Sequence, residues 1–306
     1  MALLTFCYFS FIVPYLALIR IDVNLLFLLF SQIIALPEQT DIKLEIIGQA
    51  ASNPNWAFFA PHENENVVNH YVSKRIQDKG GVFVILRQQG ERLIHLNIEP
   101  FTVRIDPNRI FTQAGRRKNI IKLNPKLREN TYVFHRAMRR SASLAQLILN
   151  ALGGKDNSRT WVAIHNNTQG FRGDDKQGIG DISIHLYHKK LTAGASFLAA
   201  VSEPVSDEDD LFFVTEQEDY AAMQRDGWNV VLQHPQVIKK ANEDDGSLSV
   251  FAQKNGIRYI NIEAERSTAS FGENHFELQS KMVDYVLERL QAKLIQQVPS
   301  HSQTRH

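Results

Sequence analysis

From Asp41 onward the chain alternates short apolar runs with stretches whose apolar residues recur at helical spacing. Short apolar runs bounded by turn residues predict buried strands, and longer amphipathic stretches predict helices. The predicted strands are 56–60, 82–87, 93–98, 160–165, 211–215, 229–233 and 258–263, and the predicted helices are 66–79, 131–152, one between 215 and 229, and 276–295. The turn at 89–91 predicts that strands 82–87 and 93–98 form a hairpin. This alternation predicts an α/β fold: a mixed, mostly parallel sheet with helices on both faces.

Two segments show neither the short apolar runs of strands nor the helical spacing of apolar residues. Residues 168–190 are rich in Gly and Asp, and residues 202–210 contain an acidic run from Glu203 to Asp210. We expect both segments to be loops, and we expect the acidic run to form a solvated face. No Gly-rich fingerprint follows the first strand, so a dinucleotide-binding fold is not indicated.

The first 36 residues follow a different pattern. Residues 3–19 are almost wholly apolar and are interrupted by Pro14, and residues 23–36 form a second apolar run. These lengths suit a signal-peptide core or a short membrane span, although no basic start region precedes them. We predict an export signal or membrane anchor over 1–36 and one folded domain over 37–306, and hence a secreted or periplasmic protein that its N-terminus could hold at a membrane. A buried N-terminal helix is the alternative.

The composition narrows the possible chemistry. Hydrophobic residues make up 43% of the 306-residue chain and charged residues 22%, an ordinary globular mixture. The net charge of +1 gives no reason to expect a nucleic-acid or anionic-membrane partner. The single cysteine, Cys7, excludes an internal disulfide and a cysteine-based zinc cluster, so a metal site would have to use His, Glu and Asp.

Metal-binding side chains stand at the ends of two predicted strands. His62 and Glu65 follow strand 56–60, and His165 ends strand 160–165. Ligands in open α/β sheets gather outside the carboxyl ends of strands, so we expect the three side chains to converge. Two histidines and one carboxylate leave the fourth position of a zinc ion to water, which is typical of a catalytic site. A single His-x-x-Glu match is weak support, and an isolated His165 would more often be a core or capping residue.

A third polar cluster, Asn108 and Arg109, follows another apolar stretch. A guanidinium beside an amide suits a substrate carboxylate. The alternative is a surface arginine in an ion pair, with Asp106 and Pro107 serving only to open a turn.

The last predicted strand alternates apolar and polar residues, so Asn261, Glu263 and Glu265 share one face. A carboxylate at the end of this strand could act as a general base on water. The alternative is that both glutamates are rim residues paired with Arg258 or Arg266.

Three motifs together resemble those of the zinc carboxypeptidase superfamily, and most nearly its succinylglutamate desuccinylase and aspartoacylase branch. Residues 62–65 resemble the His-Gly-Asn-Glu motif of that branch. Residues 106–111 resemble Asp-Leu-Asn-Arg-x-Phe, and residues 163–168 resemble Asp-Leu-His-Asn-Thr. The resemblance covers roughly residues 50 to 270.

The resemblance implies roles for individual residues. His62, Glu65 and His165 would hold Zn²⁺, Glu263 would be the base with Glu265 as the fallback, and the substrate carboxylate would meet Asn108 and Arg109. An arginine shortly before the Asn-Arg pair polarises the scissile carbonyl in that family, and Arg104 is the nearest candidate.

The chain departs from the family pattern in three places. Glu63 replaces a glycine, and Ala163 replaces an aspartate that could orient a ligand. Only 43 residues follow Glu263, too few for the C-terminal β domain of the aspartoacylases. The cleft should therefore be more open, as in a peptidase.

The sequence thus predicts a zinc-dependent, metallocarboxypeptidase-like hydrolase that cleaves an amide next to a free carboxylate, in a peptide such as a cell-wall peptide. One alternative is a small-molecule N-acylamino acid deacylase of the desuccinylase type, which a sealed cleft would favour. Another is a non-catalytic binding module with the same fold, which would gain support if neither Glu263 nor Glu265 faced the metal.

Overall fold

The computed structural model describes residues 31–48, 56–155, 158–168, 170–172, 180–204, 207–266 and 275–297. Eleven strands lie in these ranges: β1 Ser31–Leu36, β2 Gln39–Gly48, β3 Trp56–Ala60, β4 Val82–Arg87, β5 Ile94–Ile98, β6 Phe101–Ile105, β7 Thr160–Asn167, β8 Leu198–Ser202, β9 Leu211–Val214, β10 Val230–Gln233 and β11 Arg258–Glu265. The α-helices in the same ranges are α1 Asn69–Lys79, α2 Gln113–Leu123, α3 Tyr132–Ala151, α4 Ile184–Thr192, α5 Gln217–Arg225, α6 Leu248–Lys254 and α7 His275–Gln297.

Nine of these strands form one mixed sheet in the order β1-β2-β4-β3-β7-β11-β9-β10-β8. The four central strands β4, β3, β7 and β11 run parallel, and antiparallel pairs lie toward both edges. Because the central strands run parallel, their carboxyl ends meet at one edge of the sheet, where ligands of such folds collect. The predicted α/β fold class is confirmed.

Helices cover both faces of the sheet. The helices α2, α3 and α6 pack with the β5–β6 hairpin on one face, α4 covers the β8–β10 end, and α1, α5 and α7 pack on the other face. The central strand β3 is buried along its whole length for this reason. Local signals fix the helix ends: α3 begins after Thr131, whose hydroxyl accepts a hydrogen bond from the backbone N–H of Phe134.

Two expectations about local structure were wrong. The run at 93–98 does not pair with the strand before it: β5 pairs with β6 in a separate two-stranded sheet. Only alternate residues of β5 are buried, which suits an outer hairpin rather than a central strand. Part of the expected loop at 168–190 is helix α4, which begins after Ser183; the Ser183 hydroxyl accepts a hydrogen bond from the backbone N–H of His185.

The acidic run is also less exposed than predicted. Asp209 and Asp210 are only 2% and 7% exposed. A buried carboxylate needs hydrogen bonds; accordingly Asp209 accepts one from the backbone N–H of Gly170, and Asp210 accepts one from that of Glu265 at 2.9 Å. These two carboxylates tie the loop before β9 to the ends of β7 and β11.

The boundary of the folded domain lies earlier than we predicted. Ser31–Leu36, which we had placed in the N-terminal segment, pairs antiparallel with β2, and Leu36 is buried in the core. Backbone pairing with β2 and the burial of Leu36 hold this segment in the sheet, although its first three residues are exposed. Residues 1–30 lie outside the described residues, so their assignment as signal or anchor stays a prediction. Among the described helices, none has the length and apolar character needed to cross a membrane.

Candidate metal site and substrate cleft

Three side chains from two sequence motifs converge at the carboxyl ends of β3 and β7. Oε2 of Glu65 lies 2.9 Å from Nδ1 of His62 and 2.9 Å from Nδ1 of His165. One ligand atom from each of the three residues lies within 4.8 Å of the others, and all three side chains are at most about 5% exposed. Sequence reasoning predicted this convergence, and the structure brings the residues together.

The local backbone explains how His62 and Glu65 come to face one point. The chain leaves β3 and closes a single turn in which the N–H of Glu65 donates to the carbonyl of His62 at 3.0 Å. This turn places the two side chains three residues apart on one side. His165 reaches the same point because β3 and β7 are adjacent parallel strands.

The ring of His62 is held by a carboxylate from the second motif. Its Nε2 lies 3.0 Å from Oδ1 of Asp106, whereas its buried Nδ1 lies 2.9 Å from Oε2 of Glu65 without the geometry of a hydrogen bond. Burial alone would raise the pKa of Asp106, but the hydrogen bond and the charge interaction with His62 lower it overall. Asp106 therefore stays ionised and holds the Nε2 proton, which leaves the Nδ1 lone pair free for a cation.

His165 has a comparable environment. Its pKa is lowered to about 3, chiefly by burial, so the ring is neutral at physiological pH. The side-chain amide of Asn108 lies 3.3 Å from Nε2, and Gln279 of α7 donates to the backbone carbonyl at 2.9 Å. An asparagine amide can present its oxygen after a half-turn, so Asn108 can accept the Nε2 proton and leave Nδ1 for a metal.

This donor set fits zinc. Two neutral imidazoles and one carboxylate are a common three-ligand set of catalytic zinc, which keeps a fourth position open. The Nδ1 of His62 is buried and faces the Glu65 carboxylate without a hydrogen bond, and a cation between the two groups would satisfy both. A carboxylate behind one histidine and an amide behind the other supply the outer contacts that fix ligand orientation in such sites.

Glu263 lies beside the three ligand residues, and Glu265 points elsewhere. Glu263 is directly opposite His165 in the parallel β7–β11 pair, is 8% exposed and lines the cleft. Its Oε1 accepts a hydrogen bond from Asn261 at 2.9 Å. The Oε2 of Glu265 instead lies 3.4 Å from Nε2 of His275 at the start of α7. Of the two candidate bases, the structure brings only Glu263 to the cleft.

Arg109 and Asn108 line two adjoining cavities. A cavity of about 400 Å³ is lined by the ligand residues Glu65 and His165, and one of about 230 Å³ continues from it; Asn108, Arg109 and Glu263 line both. Arg109 is 38% exposed, and its Nε lies 3.6 Å from Oδ2 of Asp245. An ion pair with a protein carboxylate was the alternative for Arg109, and Asp245 supplies one through the Nε atom of the guanidinium.

A glycine brings the Asp245 loop against Arg109. Gly246 has φ of +81°, and a Cβ at this position would lie 2.4 Å from the carbonyl oxygen of Arg109. Its own carbonyl accepts the N–H of Phe111 at 2.9 Å. Only a residue without a side chain permits this approach, so the wall of the smaller cavity depends on Gly246.

Arg104, our candidate for polarising the substrate carbonyl, is not at the cleft. It lies on β6, is exposed, and its Nη2 donates to the carbonyl of Leu123 at 2.8 Å. Arg92 lies there instead: Nη1 of Arg92 contacts Oε1 of Glu65, and its side chain is half exposed to the cleft. Sequence reasoning missed Arg92, whose only signal is its position five residues after Arg87, the carboxyl end of β4.

The substitution of Glu63 for glycine has a structural reason. The Glu63 carboxylate turns away from the ligand residues, and its Oε2 accepts hydrogen bonds from the backbone N–H groups of Gln88 and Gly90. It therefore fixes the turn that carries Arg92. Ala163, which replaces an aspartate, is fully buried in the core.

Comparisons with known proteins give structural matches alone. No protein-family model and no curated protein matches the chain. A succinylglutamate desuccinylase from Chromobacterium violaceum matches at 14% identity and a TM-score of 0.41, over 85% of this chain and 69% of that one. The tripeptide-bound cell shape determinant Csd4 from Helicobacter pylori matches at 10% identity and 0.41, over 81% and 55%.

A third match is bovine thrombin-activatable fibrinolysis inhibitor in complex with tick carboxypeptidase inhibitor, at 9% identity and a TM-score of 0.41, over 88% of this chain and 92% of that one. The chain spans just over half of the length of Csd4.

Proposed function

We propose that this protein is a zinc-dependent hydrolase that cleaves an amide bond next to a free carboxylate. One observation carries the proposal: Glu65 lies 2.9 Å from both His62 and His165, with Glu263 and Arg109 lining the same cleft. These are the parts that amide hydrolysis needs, namely a metal site, a base and an anchor for the substrate.

The zinc ion would be held by Nδ1 of His62, a carboxylate oxygen of Glu65 and Nδ1 of His165. When bound, zinc lowers the pKa of a coordinated water to about 7 and polarises a carbonyl group. Glu263 supplies the base. Its Oε1 is occupied by Asn261, so Oε2 receives the proton of the attacking water and later returns it to the nitrogen of the leaving amine.

Arg109 orients the substrate. Its Nε lies 3.6 Å from Asp245 and its Nη1 donates to the carbonyl of Asn108 at 3.1 Å, which leaves the N–H groups of Nη2 for hydrogen bonds with a substrate carboxylate. Arg92 contacts the Glu65 carboxylate, and a metal bound at Glu65 would compete with it for this contact. The released guanidinium could then stabilise the negative charge that develops on the substrate carbonyl oxygen. Asn108 fixes the orientation of the His165 ring and also lines the cleft beside Arg109.

The residues that line the cleft help to distinguish a peptidase from a deacylase and from a non-catalytic binding module. Glu263 faces the cleft, which favours an enzyme over a binding module with the same fold. A deacylase acting on N-acylamino acids would use the same residues, and the additional cleft-lining Arg266 favours a substrate with a second negative charge. In both candidate enzymes, Arg109 would bind a free carboxylate of the substrate. We also propose that the enzyme is exported and acts outside the cytoplasm.

The experiment is a substrate screen with purified, zinc-loaded protein. Peptides and N-acylamino acids are offered in pairs that differ only in a free or amidated carboxylate. The proposal expects hydrolysis of at least one free acid, loss of this activity on chelation, recovery on adding zinc, and little cleavage of the amidated partner. Equal cleavage of both members of each pair, or activity that survives chelation, would contradict it.

A further inference from the structure

The net charge of +1 conceals an uneven distribution of charge along the chain. Residues 104–140 contain eleven Arg and Lys but only two acidic residues, which gives this segment a net charge of +9 and leaves −8 on the rest of the chain. The segment comprises the end of β6, helix α2, the following loop and the first half of α3. Total charge therefore gave no indication of a strongly basic surface.

An apolar groove lies within this basic segment. It has a volume of about 510 Å³ and is separate from the metal cleft. Its lining includes no acidic residue, although three cationic side chains contribute to it: Arg104, Lys126 and Arg128. Its apolar lining consists of Phe101, Val103, Leu123, Pro125, Leu127 and Val133.

Two exposed aromatic side chains border the groove. Phe101 is 57% exposed and lines it, and Tyr132 is 64% exposed between the lining residues Thr131 and Val133. Large apolar side chains with this exposure at a concave site mark a surface that binds something. Aromatic rings beside basic residues are typical of proteins that insert into the interface of a lipid bilayer.

The cationic surface continues along α3. Arg136, Arg139 and Arg140 follow Tyr132 at spacings of four, seven and eight residues, so the four side chains share one face of the helix. Three acidic residues lie nearby: Glu38 pairs with Arg136 and Arg140, Glu129 pairs with Arg117, and Glu99 precedes Phe101 by two residues. None of the described acidic side chains pairs with Lys122, Lys126, Arg128 or Arg139, so an external anion can reach these four.

We infer that this surface docks on a membrane rich in anionic lipid, with Phe101 and Tyr132 in the interface and Lys126, Arg128 and the α3 arginines on the headgroups. Charge complementarity supports this occupant, because apolar lining with a cationic border matches acyl chains beneath anionic headgroups.

The direct test uses the full chain and fluorescence quenching. Phe101→Trp is mixed with vesicles whose acyl chains all carry bromine, made of phosphatidylcholine alone or of phosphatidylcholine with phosphatidylglycerol. Phe276→Trp is the matched control, because Phe276 is 42% exposed on α7, on the opposite face of the sheet. We expect severalfold greater quenching of the added tryptophan in Phe101→Trp than in Phe276→Trp, and only with phosphatidylglycerol. Equal quenching in both variants, or quenching in neither, would overturn the inference.

Charge reversal supplies a second measurement on the same surface. The double change Lys126→Glu and Arg128→Glu should weaken binding to phosphatidylglycerol vesicles by about tenfold or more, since each basic residue near an anionic surface strengthens binding several-fold. The matched control changes Lys74 and Lys281, exposed residues of α1 and α7, to Glu and should bind as the wild type does. If both double variants bind vesicles equally, or if the first loses only binding of an acidic peptide such as polyglutamate, the lipid assignment is wrong.

Discussion

The Nε2 atom of His62 lies 3.0 Å from Oδ1 of Asp106, which joins the first residue of one sequence motif to the first residue of another. This contact decides which ring nitrogen of His62 carries the proton, and so which nitrogen is free to bind a metal. Position 163, two residues before His165, is an alanine and cannot orient that histidine. Asp106 instead supplies an orienting carboxylate to the other histidine, His62.

Asp106→Asn should weaken zinc binding without removing it. The amide keeps the shape of the carboxylate but loses its charge, so it holds the Nε2 proton less firmly, and we expect an affinity loss of about 10–100-fold. Competition with a fluorescent zinc chelator measures this. Asp78→Asn, an exposed change on α1, is the control. Unchanged affinity in Asp106→Asn would show that the contact serves only the fold.

Glu263→Gln should keep the metal and lose most of the activity, by about 10² or more, because glutamine cannot accept the proton of the attacking water. The measurement is kcat on the best substrate together with zinc content. Glu265→Gln is the matched control on the same strand, since Glu265 pairs with His275 rather than facing the cleft. If the two variants kept equal activity, Glu263 would not be the base.

Arg109→Ala should raise KM by about tenfold or more for substrates with a free carboxylate, because it removes a charge-assisted pair. Substrates with an amidated carboxylate should change little. Arg104→Ala is the control, since Arg104 is exposed on β6 and outside the cleft. An equal rise in KM for free and amidated substrates would instead indicate that Arg109 has a structural role alongside Asp245.

Asp209→Asn should change the dependence of stability on pH. Burial raises the pKa of Asp209, and the neighbouring Asp207 raises it further. A folded pKa above the unfolded value of about 3.9 means that the stabilising contribution is complete below about pH 4 and declines as pH rises. The variant should be more stable than the wild type at pH 8, by about 1–3 kcal/mol, and similar near pH 4.

Urea unfolding at both pH values, with chelator present, measures this difference. Asp78→Asn again controls for the loss of one carboxylate, since Asp78 is exposed on α1. If Asp209→Asn were less stable than the wild type at pH 8, the folded protein would favour the charged form of Asp209, opposite to what we expect.

The sequence predicted the convergence of His62, Glu65 and His165 because they stand at or just after the carboxyl ends of central strands, whereas it left Glu263 and Glu265 as alternative bases on one face of the last strand. Parallel strands in one sheet place their carboxyl ends together, so a linear pattern was enough. Arg92 could not be predicted in this way, because it reaches Glu65 from a turn that Glu63 fixes through side-chain hydrogen bonds. Such contacts leave no periodic signal in a sequence.

The predictions for Arg104 and Asp209 were wrong because contacts between distant parts of the chain decide where these residues lie. Nearness to the Asn-Arg pair favoured Arg104, but β6 belongs to an outer hairpin and places it away from the cleft. The acidic run is typical of a solvated face, yet hydrogen bonds from Gly170 and Glu265 bring two of its carboxylates into the interior. Charge alone does not determine burial when backbone donors are available.

The central claim is that His62, Glu65 and His165 form one zinc site, and zinc content measured by mass spectrometry tests it most directly. The wild type is compared with His165→Ala and with His188→Ala, an exposed histidine of α4, and circular dichroism checks that all three are folded. Our account predicts about one zinc per chain in the wild type and in His188→Ala, and almost none in His165→Ala. Equal zinc in all three proteins, or none in the wild type after loading and dialysis, would contradict it.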